Sequence, residues 1–148
     1  MRWHDRTILF LATGGGAGHL PVAPGTFGSI LGLFFCFVLS VLPPAWIGIC
    51  LVLCILIAVW TSEYAERLLG KKDHSAIVID EIIGMMVTLV NVPFRLETVV
   101  AGFVLFRLLD IIKPPPIRTI QNMPGGAGVV FDDVAAGIIG NIVIRFIF

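Results

Sequence analysis

With 148 residues, the chain has room for one domain and hardly for two. It is 57% hydrophobic and only 14% charged, against about 45–50% and about 25% in an ordinary soluble domain, and its mean hydropathy of +1.00 points to a bilayer as solvent and to membrane lipids as neighbours. Ten basic and ten acidic side chains cancel to zero net charge, and no basic block forms an arm, which excludes nucleic acid as a partner.

The first twenty residues, "MRWHDRTILFLATGGGAGHL", carry a basic start and a brief apolar stretch that runs into glycines, too weak for a cleaved signal peptide. From Thr7 to Ser62 there is no Asp, Glu, Lys or Arg. Within this interval "PGTFGS" (24 to 29) sets Thr26 and Ser29 just before an apolar run. There a hydroxyl can cap a helix and free backbone N–H groups can face an anion. The runs "SILGLFFCFVLSVL" (29 to 42) and "AWIGICLVLCILIAVW" (45 to 60) are separated by Pro43 and Pro44. Prolines end one helix and suit the start of the next, so the expectation is a tight helical hairpin. Each arm is short against the roughly 20 residues of a perpendicular span. Cys36, Cys50 and Cys54 sit among Leu, Ile and Phe, where thiols act as small hydrophobes.

After Trp60 the polar stretch "TSEYAERLLGKKDHS" (61 to 75) reads as a short amphipathic helix with Gly70 as its C-cap, followed by a loop. His74 in that loop can serve as a general acid beside the site, since imidazole titrates near neutral pH, but an exposed loop histidine is the plainer reading and its role stays open. Three more apolar segments follow, about 77 to 92, 97 to 113 and 131 to 148. The prolines and glycines of "PPPIRTIQNMPGGAGVV" exclude a continuous helix between the last two. The whole is expected to be an all-α integral membrane bundle of one domain, residues 1–148. Nothing in the pattern speaks to its oligomeric state.

Basic residues favour the cytoplasmic side of short loops, so Arg2, Arg6, Arg67, Lys71 and Lys72 place both flanks of the hairpin there. On that path Asp80 and Glu81 begin one helix, Asp110 ends the next, and Asp132 and Asp133 begin the last. All five carboxylates fall at the cytoplasmic face. Ionisable groups in membrane segments are costly and by default mark function. Clustered carboxylates raise one another's energy unless a cation neutralises them, and hard oxygen donors from several helices suit Mg²⁺. In "RLLDIIKPPPIR" (107 to 118), Arg107, Asp110 and Lys113 share a helix face. These cations, with Arg118 beyond, can meet a phosphate held by metal. "PGGAG" (124 to 128) can let backbone approach a ligand closely. A transport path would spread its acids along a pore and would not need these cations.

"PGTFGS", "IVIDEIIGMM", "FRLLDIIKPPPI" and "FDDVAAGIIGN", in this order and at these spacings, resemble the phosphatidylglycerophosphatase A family from about Gly18 to about Asn141. The resemblance implies a mainly helical protein of the bacterial cytoplasmic membrane. Its implied activity is Mg²⁺-dependent removal of the terminal phosphate of phosphatidylglycerophosphate, giving phosphatidylglycerol and inorganic phosphate. Carried over by motif, the family's polar positions fall on Thr26, Ser29, Asp80, Glu81, Arg107, Asp110, Lys113, Asp132 and Asp133. Asp80, Glu81, Asp132 and Asp133 are expected to hold metal, with Asp110 as ligand, base or nucleophile. Arg107 and Lys113 are expected to stabilise charge in catalysis, and Thr26, Ser29 and Arg118 to bind substrate.

Overall fold

Proline and glycine punctuation sets most helix ends in this chain. The computed structural model describes residues 2–148, and among these there are seven α-helices and no strand. They are α1 (Trp3–Ala12), a 3-10 turn at Ala17–His19, α2 (Pro24–Ser40), α3 (Pro44–Leu69), α4 (Ile79–Leu89), α5 (Leu96–Ile112), α6 (Pro115–Gln121) and α7 (Gly125–Ile147). Pro24, Pro44 and Pro115 each open a helix at its first position, where the missing N–H costs nothing. Gly70 closes α3 in the left-handed region at φ 67°, as expected of a C-cap glycine.

Three features differ from the sequence reading. First, α3 runs unbroken through Trp60 for 26 residues, because "TSEYAERLL" contains no helix breaker and the polar stretch simply extends the apolar arm. Second, α2 and α3 are joined by a short connection yet scarcely touch. Each packs on α4, and α3 packs on α7 as well, so the tight hairpin is instead a splayed pair with α4 behind it. Third, α7 begins at Gly125 and takes the "GGAG" segment into its first turns. There Gly126 lies against the α3 backbone, its Cβ position 2.5 Å from Glu63 N, and the Cβ position of Gly128 is 3.0 Å from the Gln121 carbonyl oxygen. Those glycines serve close packing.

Among the described residues two helices are long and apolar enough to cross a membrane, α3 with a mean hydropathy of 2.4 and α7 with 1.7. The outward faces fit a lipid surround, since Phe34, Phe37, Trp46, Leu56, Trp60 and Ile111 are all exposed. The acidic helix α4 is different. At 11 residues it spans about 17 Å, well short of the roughly 30 Å of a hydrocarbon core. Nine of those residues are buried under α2, α3, α5 and α7. Its C-terminal carbonyls are satisfied from α7: Asn141 Nδ2 donates to Thr88 O and Val90 O at 3.0 Å each, and Arg145 Nη2 to Val90 O and Asn91 O at 3.0 Å. Asn141, which closes the last motif, thus works as a helix cap supplied by a neighbour.

Candidate functional site

The site is assembled by close backbone contact between α4 and α7. A Cβ on Gly137 would stand 2.6 Å from the Gly84 carbonyl oxygen, and one on Gly84 would stand 3.0 Å from the Asp133 carbonyl oxygen. Only glycine permits that approach. Asp80 lies four residues before Gly84 and Asp133 four before Gly137, so each acid sits one turn above its glycine on the same face. The two carboxylates are thereby driven together, and Glu81 joins them.

Asp80, Glu81 and Asp133 each offer a carboxylate oxygen, all within 4.8 Å of one another. Asp80 Oδ1, Glu81 Oε2 and Asp133 Oδ2 are buried and have no hydrogen-bond partner. Burying one uncompensated ion costs several kcal/mol. Asp80 and Glu81 draw some compensation from the first turn of α4 and its dipole, but Asp133 lies well inside α7, beyond its first turn. Three orphaned hard-oxygen donors at this spacing fit a divalent cation such as Mg²⁺.

Around the trio stands a cationic rim. Arg107, in the last turns of α5, is paired through Nη1 with Asp110, while its buried Nε lacks a partner. Lys113 pairs with Asp132 and lies 3.7 Å from Asp110 Oδ1. Burial works to lower the pKa of Lys113, but the Asp132 hydrogen bond and the charges of Asp132, Asp133 and Asp110 outweigh it and push the pKa up. The ammonium therefore stays charged. Lys113 caps α5 at φ 46°, a left-handed conformation that costs a lysine more than a glycine. Asp132 lies outside the trio: besides Lys113, it accepts the Asp133 backbone N–H at 2.9 Å.

The remaining expected residues are placed variously. Thr26 and Ser29 lie within α2, which starts at Pro24, and no side chain caps that helix. The expected hydroxyl cap is therefore absent, because Pro24 and the left-handed Ala23 (φ 46°) begin the helix two residues earlier. Ser29 is fully buried and its hydroxyl donates to Gly25 O at 2.9 Å. What α2 brings to the site is Gly25, whose Cβ position is 3.2 Å from Arg107 Nη1 and also abuts the Glu81 carboxylate. Arg118 is exposed on α6 and joins none of the ion pairs of the described residues. His74 is half-buried, and its Nδ1 accepts the Ala76 N–H at 3.1 Å. The sequence reading passed over Gly25, Gly84 and Gly137, although glycine four residues after an acid in two different helices was a legible signal.

The family model of phosphatidylglycerophosphatase A matches residues 10–148. Phosphatidylglycerophosphatase A of Escherichia coli (strain K12) is 40% identical over 147 residues, 98% of this chain and 83% of that protein. The protein of the same name in Haemophilus influenzae is 36% identical, over 93% of this chain and 86% of its own length. A Bacteroides thetaiotaomicron protein, named as a candidate phosphatidylinositol-3-phosphatase, is 37% identical over 92% of this chain and 90% of its own. No solved structure matches significantly. A chain matched almost end to end in this way belongs to the phosphatidylglycerophosphatase A family and is a phosphatase, a phosphoric monoester hydrolase.

Proposed function

We propose that the protein hydrolyses phosphatidylglycerophosphate to phosphatidylglycerol and inorganic phosphate, with Mg²⁺ held by Asp80, Glu81 and Asp133. The observation that carries this reading is the trio of orphaned carboxylate oxygens beside a rim of fixed cations. Bound there, Mg²⁺ supplies Lewis-acid stabilisation of phosphoryl charge. Arg107 and Lys113 grip the phosphate and stabilise the negative charge that grows as the ester P–O bond breaks. Lys113, held by its ion pair with Asp132, acts as a fixed charge beside the phosphate. Asp110 and Asp132 hold these two cations in place.

The protein is assigned to the bacterial cytoplasmic membrane as a multi-pass protein, with the site facing the cytoplasm. Arg67, Lys71 and Lys72 lie at the C-terminal end of α3 and just beyond it, and such residues favour that side. A phosphate on a lipid headgroup then reaches the site from the interface.

The test is phosphate release by the purified protein from phosphatidylglycerophosphate, with phosphatidylinositol 3-phosphate as a second substrate. Release that stops with chelator and returns with Mg²⁺ is expected on the first substrate. No release by the wild type overturns the function, and release undiminished by chelator overturns the metal.

Asp132→Asn tests the positioning role. The amide keeps an acceptor for the Asp133 N–H but loses the ion pair, so kcat is expected to fall about 10–100-fold. Lys113 would stay buried without one of the charges that raise its pKa. An unchanged kcat would show that Asp132 does not position Lys113 for the reaction.

A further inference from the structure

The gap left where α2 and α3 splay apart is an apolar cleft of about 460 Å³. Its walls include Leu31 and Phe34 from α2 and Cys54 and Ile57 from α3, and its floor is Ile82 and Met86 of α4. No lining side chain is charged. Phe34 is 63% and Ile57 51% exposed, so the cleft opens sideways onto the same surface as the exposed Phe37, Leu53 and Leu56. An opening of this kind in a lipid-facing surface is filled by hydrocarbon, since void surface forfeits its dispersion contacts.

One end of the cleft lies next to the site. Gly14 lines it, and a Cβ there would be 3.0 Å from Val78 Cγ2 and 3.4 Å from Ile82 Cδ1. Val78 in turn packs on Gly28, whose Cβ position is 2.9 Å from Val78 Cβ and 3.3 Å from Glu81 Cβ. Val78 and Gly28 therefore link the cleft to Glu81 of the trio, whose neighbours Asp133 and Arg107 stand on α7 and α5. The separation is about one helix diameter, some 10 Å. The substrate proposed above has its terminal phosphate separated from the diacylglycerol by a glycerol and a phosphodiester, enough chain to cover that distance.

Resting on that reading of the substrate, we infer that the α2–α3–α4 cleft holds one acyl chain of the lipid being hydrolysed. Surrounding lipid solvates a chain as well as the cleft does, so the cleft contributes little affinity. Its effect is to orient the headgroup over the carboxylates, and orientation is worth rate.

The test has two arms. The full chain is placed in phosphatidylcholine vesicles with a phosphatidylglycerophosphate that carries a diazirine in mid-chain. Photolabel is expected on Leu31, Phe34, Cys54 or Ile57, and unlabelled phosphatidylglycerophosphate should compete it away. Label spread over the outer α3 residues Ile49 and Val52 and indifferent to competitor overturns the inference, as does a second copy of the chain cross-linked across the cleft. In the second arm Ile57→Trp, placed at the open side to spare the core, partly fills the cleft. Its kcat on long-chain substrate, relative to that on the chainless headgroup phosphate, is expected to fall about tenfold. Hydrolysis of both with an unchanged ratio overturns the cleft and leaves the function standing. If the wild type hydrolyses neither, both are overturned.

Discussion

Asp80→Asn and Asp133→Asn are each expected to lower phosphate release by about 10²–10³-fold while making the metal-free protein harder to melt. The two effects have one origin. Each carboxylate presents a buried oxygen with no partner in the protein and stands within reach of two like charges, so neutralising one relieves repulsion when no cation is present. It also removes a hard anionic donor from the metal. A merely structural acid would behave in the opposite way, since its loss would weaken the fold. The measurements are phosphate release at saturating Mg²⁺ and Tm in chelator and in Mg²⁺. Wild-type Tm should rise with Mg²⁺ by mass action, and the variants should respond less. Full activity in both variants would sink the site.

The second large effect is expected at a residue that carries no functional group. Gly137→Ala places a methyl 2.6 Å from the Gly84 carbonyl oxygen and 2.9 Å from Val87 Cβ, and neither is the free end of a flexible chain. The helices must separate, at a cost of about 1–3 kcal/mol. Because this contact sets Asp80 against Asp133, a shift of about 1 Å costs up to about 10²-fold in rate. Gly48→Ala is the control, since it has open space around its Cβ position and sits inside α3, where alanine is favoured by about 1 kcal/mol. Phosphate release and Tm of the two variants decide the matter. Equal activity would show that the α4–α7 approach does not set the site.

Much of the fold was legible because its signals are local. Proline at a first helical position and glycine after a last turn act within a few residues, so the start of α3 at Pro44 and its close at Gly70 could be read closely. The start of α7 was misplaced because Gly125, Gly126 and Gly128 read as loop, and the helical state of that segment depends on the packing of Gly126 against α3. The continuity of α3 was missed for a related reason, since a change from apolar to polar composition marks a change of surroundings and need not mark an end.

For the site, the residue types and spacings alone were enough to expect that carboxylates and cations from separate helices meet in one cluster, because uncompensated charge in so apolar a chain needs a shared explanation. The division of labour was decided only by the tertiary structure. Adjacent in sequence, Asp132 and Asp133 point to different partners: Asp132 to Lys113, and Asp133 to Asp80 and Glu81. Neighbours on a helix stand about 100° apart, so which of them meets a cation and which meets other carboxylates depends on the helices packed on each side. The glycine contact between α4 and α7 makes that choice, and it exists only once the chain has folded.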